Sequence, residues 1–198
     1  MNQKIIYFDN AATTRVSPKV FKSMMPFFQN SYGNPSTIYS LGREARQAIE
    51  KAREKIANSI NADKEEILFT GSGTESDNWA IKGIAYANRK KGSHIITTNI
   101  EHHAILNTCK NLERNGFEVT YVPVKKNGIV ETKDILSAIR KDTILISVMF
   151  ANNEIGTIQP IEEIGKIANE KKILFHTDAV QAYGNIMIDV KKLNVDLL

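Results

Sequence analysis

The sequence predicts an α/β protein with a mostly parallel sheet covered by helices on both faces, and three observations lead there. Between residues 67 and 176, short apolar runs with β propensity alternate with segments of helical length. Helices of that length between strands read as crossover connections, which parallel strands require. Glycine-rich, amide-rich and acidic stretches fall just past the apolar runs, at the edge where α/β proteins place their ligands.

Taken in order, Ile5-Ile6-Tyr7-Phe8 is a short strand-like run, and the small, polar stretch Asp9 to Thr14 after it is a loop. Pro18 opens a short helix that runs to Phe28, and Gly33-Asn34-Pro35-Ser36 breaks the chain again. From Ser40 to about Ile60, Leu41, Ala45, Ala48, Ile49, Ala52, Ile56 and Ile60 recur at spacings of three and four, the mark of one buried helix face. Arg43, Glu44, Glu50, Lys51, Glu54 and Lys55 form its wet side. The pattern then predicts strands over 67–70, 94–97, 118–122, 144–148 and 173–176. Helices over 74–90, 104–115, 133–140 and 161–170 separate them. Asn194-Val195-Asp196-Leu197-Leu198 reads as the start of another strand, and so apolar a stop suggests a natural protein that continues.

Composition narrows the function classes. At 198 residues, 42% hydrophobic and 24% charged, the chain suits a soluble globular protein with a real core. No apolar run approaches the roughly 20 residues of a membrane helix, and the N-terminus lacks the apolar stretch of a signal peptide, so a cytoplasmic location is expected. Cys109 is the one cysteine, set in an apolar helical pattern, which fits a reducing compartment and an inert core thiol. The net charge of +4 is spread among acidic residues, and the one basic cluster, Arg89-Lys90-Lys91, lies near a helix end where cations suit the dipole. No basic face or aromatic stacking pattern points to nucleic acid.

Four stretches carry chemistry. Phe175-His176-Thr177-Asp178-Ala179-Val180-Gln181 delivers an acid to a strand end, and a buried carboxylate there needs a positive partner. A protonated pyridine nitrogen, as in pyridoxal phosphate (PLP), is such a cation, although an Asp capping the next helix is the commoner use. Phe69 to Asn78 passes from strand through Gly71-Ser72-Gly73-Thr74 into a helix, which points backbone N–H groups at an anion such as phosphate. A plain turn with a Ser72–Glu75 capping box is the alternative, and neither the P-loop nor the dinucleotide fingerprint is present. Glu101-His102-His103 reaches the same edge, where His102 can lay its ring on a planar cofactor or simply cap a turn. Adjacent histidines point apart, so no metal site is expected from them, and His94 and His176 read as structural. Asn152-Asn153 follows the next strand with amides that bind a phenolate oxygen or a carboxylate without adding charge. A phosphate cradle, a stacking histidine, amides and a buried acid at successive strand ends describe one site.

These residues resemble the NifS/IscS-like cysteine desulfurases of the class V aminotransferase group. Tyr7 to Thr14, Tyr32 to Ser36, Phe69 to Asn78, Glu101 to His103, Asn152 to Thr157 and His176 to Gln181 stand in family order across essentially the whole chain. The resemblance implies the fold-type I PLP-dependent large domain, a homodimer, and conversion of L-cysteine to L-alanine with the sulfur kept as an enzyme persulfide. A sulfur-acceptor protein, an iron–sulfur scaffold or a tRNA-thiolation enzyme, would take that sulfur. Residue by residue, it implies Gly73 and Thr74 on the phosphate, and His102 stacked on the pyridine ring and assisting proton transfers. It further implies Asp178 at the ring nitrogen, Gln181 at the O3′ oxygen, and Asn153 between O3′ and the substrate carboxylate. Residues 1–15 would be an N-terminal segment packing on the small domain, and 16–198 an incomplete PLP-binding large domain.

The departures are as informative as the matches. The family's PLP lysine lies about six residues past Leu198, and the catalytic cysteine loop, the carboxylate-binding arginine and the small domain lie further on. Cys109, in a helix, does not replace the loop cysteine, and Tyr39 stands where many members have a histidine. The expectation is therefore the N-terminal half of a desulfurase, inactive alone. A selenocysteine lyase or other class V PLP enzyme is the enzymatic alternative. A non-catalytic half-domain that binds a partner subunit is the other, ahead of a nucleotide enzyme.

Overall fold

The computed structural model describes residues 6–198. It divides into two compact units, one holding the described residues up to Asn58 together with Asp63–Ile67, the other Ser59–Ala62 and Leu68–Leu198.

In the first unit, helix α1 spans Pro18–Gln29 and buries none of its residues, so Phe21, Met24 and Phe28 present an open apolar face. Helix α2, Ser40–Ile60, of which Ser59 and Ile60 count with the second unit, has the expected length, and Ala45, Ala57 and Ile60 are its buried hydrophobic residues. Ile49 and Ala52, which periodicity assigns to the buried face, are exposed. The strand expected over 5–8 begins outside the described residues, and 6–8 join no ladder, with Phe8 87% exposed. β propensity asks for an extended backbone and a partner strand, and among the described residues no strand pairs with 6–8.

The second unit is the α/β body. Helix α3 (Gly73–Ala87) leads to β1 (His94–Thr98), α4 (His103–Arg114) and β2 (Glu118–Val122). Then follow α5 (Thr132–Ala138), β3 (Thr143–Ser147), α6 (Ile161–Lys171), β4 (Leu174–His176) and α7 (Val190–Leu193). The four strands are parallel in the order β2-β1-β3-β4. β1 to β2 and β3 to β4 step in opposite directions, so right-handed crossovers put α4 and α6 on opposite faces. The direction changes between β1 and β3, and the crevice beyond their carboxyl ends is where such sheets bind ligands.

All elements expected from 94 to 176 form within about two residues of the predicted bounds. The strand expected over 67–70 is a correction, because the run enters no ladder and Leu68 and Phe69 stay half or more exposed. Both sides of β1 are taken by β2 and β3, and the outer side of β4 is taken by the chain's end. There Leu197 pairs parallel with His176, which meets the expectation of a beginning strand.

Ile81, Ala85, Ile95, Ile105, Cys109, Leu112 and Leu145 form the core between α3, α4 and the sheet. Burial pushes the Cys109 thiol up to about 12, so it is an inert apolar filler, as expected. His94 is also structural, with Nδ1 2.7 Å from Thr143 Oγ1 and Nε2 2.8 Å from Thr120 Oγ1. On the opposite face α6 meets α7 at Gly165, where a Cβ would land on the backbone carbonyl of Leu193. Alanine improves helix propensity by about 1 kcal/mol, but overpacking against rigid backbone costs about 1–3 kcal/mol. Gly165→Ala should therefore lower the urea midpoint of unfolding instead of raising it.

Candidate active site

The site is assembled where α3 starts and where β1, β3 and β4 end. At α3, Ser72 is the N-cap, its hydroxyl accepting from the Glu75 N–H at 3.2 Å. The Glu75 carboxylate accepts from the Gly71 N–H at 2.7 Å. The cap thus consumes Ser72 and Glu75, while no hydrogen bond is made by the N–H groups of Gly73 and Thr74 among the described residues. Capping and anion binding, alternatives on the sequence alone, therefore do not compete for the same groups of this loop. A Cβ on Gly73 would come within 2.9 Å of Val180 Cγ2, so glycine lets this loop lie directly on the chain segment after Asp178.

After β1, His102 is the N-cap of α4. Its Nδ1 accepts from the Ala104 N–H at 3.1 Å, which leaves the ring hydrogen on Nε2 and an exposed ring. His103 is tilted 56° from it, with centroids 6.1 Å apart, so the two do not converge. After β3, the two asparagines divide their labour. Asn152 is buried and fully engaged, donating to the Ile100 carbonyl at 3.0 Å and accepting from the N–H groups of Glu154 and Ile155. Asn153 is half-buried and reaches only Glu154 Oε1, at 3.1 Å, so it is the amide turned outward. Past β4, Asp178 is 8% exposed and accepts from the Val180 N–H through Oδ1 at 3.0 Å. Gln181 follows, half-buried, with no side-chain hydrogen bond among the described residues.

What holds these loops together is a set of cross-ties that the sequence reading did not foresee. Glu101, 5% exposed, accepts from Thr98 Oγ1 at 2.6 Å and from the Met149 N–H at 3.0 and 3.1 Å, which fastens the His102 turn to the end of β3. The Phe150 N–H donates to the Asp178 carbonyl at 2.8 Å, fastening β3 to β4. Burial pushes the Glu101 carboxyl up to about 8 in spite of its hydrogen bonds. A glutamate beside a histidine in a loop carries no periodic signal, and only its burial reveals the role.

Two unengaged N–H groups at a helix start, an outward amide and a buried carboxylate with a free oxygen, at the start of α3 and at the ends of β3 and β4, suit a ligand with a phosphate at one end and a protonated nitrogen at the other. The fold and site define an α/β protein whose strand ends suit a phosphate-bearing, cationic ligand. The aminotransferase class-V family pattern matches residues 6–198, and the chain belongs to that family, whose members work with PLP. It is 62% identical over 195 residues to the cysteine desulfurase IscS of Methanosarcina thermophila, covering 98% of this chain and 48% of that protein. It is 58% identical to the cysteine desulfurase IscS of Clostridium botulinum, covering 98% and 49%. Among solved structures, SspA in complex with cysteine superposes with a TM-score of 0.93 at 45% identity, covering 96% of this chain and 55% of that one. A NifS-like protein superposes with the same TM-score at 46% identity, covering 96% and 53%. The chain spans about half the length of the curated relatives it matches.

Proposed function

We propose that this chain is the cofactor-binding part of a cysteine desulfurase that releases L-alanine from L-cysteine and keeps the sulfur as an enzyme persulfide. The observation that supports the reading is the close approach of Gly73, at the start of α3, to Val180, two residues past the buried Asp178. That approach supports a single site for phosphate and ring-nitrogen contacts. Similarity to desulfurases along nearly the whole chain, and to a protein solved with cysteine, supports the substrate.

The residues present fit PLP, whose pyridinium ring supplies an electron sink when bound. The Gly73 and Thr74 N–H groups, at the positive end of α3, would take the phosphate. His102, held by its cap with Nε2–H outward, would stack on the ring and move protons at Nε2. Asp178 would hold the proton on the ring nitrogen through the oxygen not given to Val180. Gln181 would donate to O3′, and Asn153 would orient O3′ and the substrate carboxylate. Residues 1–15 would pack on the small domain, and the enzyme would be a cytoplasmic homodimer serving an iron–sulfur scaffold or a tRNA-thiolation enzyme. The lysine and cysteine of the reaction lie outside these 198 residues on this reading, so the chain alone is inactive. PLP-dependent alanine formation by the purified chain would overturn that assignment.

Titrating PLP into the 198-residue chain tests the site. The expected result is saturable, dialysable binding that borohydride does not make covalent. Gly73→Ala fills the cradle, and a loss of about 1.4 kcal/mol there is a tenfold weaker Kd. Asp178→Ala should weaken binding at least as much. Wild-type affinity in both variants, or no binding at all, would sink the proposal.

A further inference from the structure

Behind Asp178 lies a group of buried ionisable side chains to which the reading above gives no task. His176, at the end of β4, is 2% exposed, and its Nδ1 stands 2.9 Å from Ser147 Oγ on β3. Its Nε2 stands 3.7 Å from Oδ1 of Asp77 on α3, itself 5% exposed. Asp178 from the β4 loop and Glu101 from the β1–α4 turn both lie within electrostatic reach of Asp77. Among the described residues no Lys or Arg forms an ion pair with any of the three carboxyls.

Three like charges in so dry a space cannot all exist, and one imidazolium would not balance them. Burial and the neighbouring Asp178 push the Asp77 carboxyl up to about 7, and burial pulls His176 down to about 4. We propose that Asp77, turned toward a neutral His176, keeps its carboxyl proton behind Asp178, and that this proton leaves Asp178 to carry the charge that faces the ligand. The meaning for a ring nitrogen rests on the function proposed above, but the proton itself belongs to the polypeptide alone.

The geometry fixes where hydrogens go. While Asp77 is protonated, its O–H turns to Nε2, which is then the bare nitrogen, and Nδ1–H donates to Ser147 Oγ. When Asp77 gives its proton to water, a bare Nε2 would face a carboxylate and be repelled. The ring then carries its hydrogen on Nε2, and Nδ1 accepts from the Ser147 hydroxyl. The imidazole keeps one hydrogen throughout. At 3.7 Å the contact is longer than a hydrogen bond, so charge and dipole do the coupling.

The test is a pH series of long-range nitrogen–proton spectra on the cofactor-free 198-residue chain with ¹⁵N-labelled histidine, only four of which are present. His176 is assigned by loss of its signals in His176→Gln. The expected result is a change of tautomer from Nδ1–H to Nε2–H with a midpoint near 7, where Asp77 ionises, and no imidazolium above pH 5. Asp77→Asn should abolish the change and leave one tautomer from pH 5 to 9. A single tautomer in the wild type over that range, or an imidazolium near neutrality, overturns the proposal, and this holds even if the variant does not fold. PLP added afterwards separates the two readings. A tautomer change without PLP binding sinks only the function, and PLP binding without the change sinks only the proton pair.

Discussion

Replacing Glu101 by alanine is expected to destabilise the chain by about 3–5 kcal/mol, a large share of the roughly 5–15 kcal/mol that holds a domain folded. The side chain is the acceptor for the Thr98 hydroxyl and for the backbone N–H of Met149, and both donors are in the interior. Each donor left without a partner costs about 1–3 kcal/mol, and the vacated volume adds a cavity term. Recovered desolvation offsets little, because a carboxyl raised to about 8 is already mostly uncharged at neutral pH. Glu101→Gln reproduces that uncharged form. Its amide can donate to Thr98 Oγ1 while its oxygen accepts from Met149, so it should stay within about 1 kcal/mol of the wild type at pH 7. Urea unfolding of the three proteins decides the matter, and an alanine variant as stable as the glutamine one would refute the cross-tie. PLP affinity should follow the same order, since the tie seats the turn that carries His102.

Much of the fold was legible because its elements announce themselves through periodicity. The recurrence from Ser40 to Ile60 has the bounds of α2, though Ile49 and Ala52 turn out exposed, and the apolar runs at 94–97 and 144–148 are the two central strands within a residue. Pattern fails where a strand depends on something outside itself. The run 67–70 has β propensity, yet among the described residues it enters no ladder, and propensity alone gives only extended backbone. Gly73, His102, Asn153 and Asp178 could be picked out as candidates because these fall at strand and helix ends, where polar groups are spare. Asp77 and Glu101 were not, because in a run such as Thr74-Glu75-Ser76-Asp77-Asn78 every residue looks solvated. Only the path of α3 across the sheet shows that one of them points into the protein. The asparagine pair shows the same limit: sequence supplies two amides, and burial decides that Asn152 clips the loop while Asn153 stays available.

The buried carboxyls make a second large effect, a loss of stability from pH 6.5 to 8.5. Asp77 is raised from 3.8 to about 7 and Glu101 from 4.5 to about 8. Over the window between, the folded chain holds protons that the unfolded chain has released, so raising the pH favours unfolding. Their contribution is complete below about pH 4 and disappears as pH climbs through 7 and 8. His176 works in the other direction, since burial lowers it from 6.5 to about 4. Its stabilisation is full above 6.5 and is lost toward pH 4, which leaves the carboxyls in charge on the alkaline side. Integrated from pH 6.5 to 8.5, the two carboxyls account for about 2–3 kcal/mol. Glu101→Gln should remove the greater part of that slope, because Asp77 is already half ionised at 7. Asp77→Asn should remove the remainder, and the two variants together should give a nearly flat profile. Urea midpoints measured at half-unit steps across the window provide the check. A wild-type stability that is level or rising from pH 6.5 to 8.5 would mean that the two carboxyls are ionised in the folded chain, and with them the charge assignment behind Asp178 would fall.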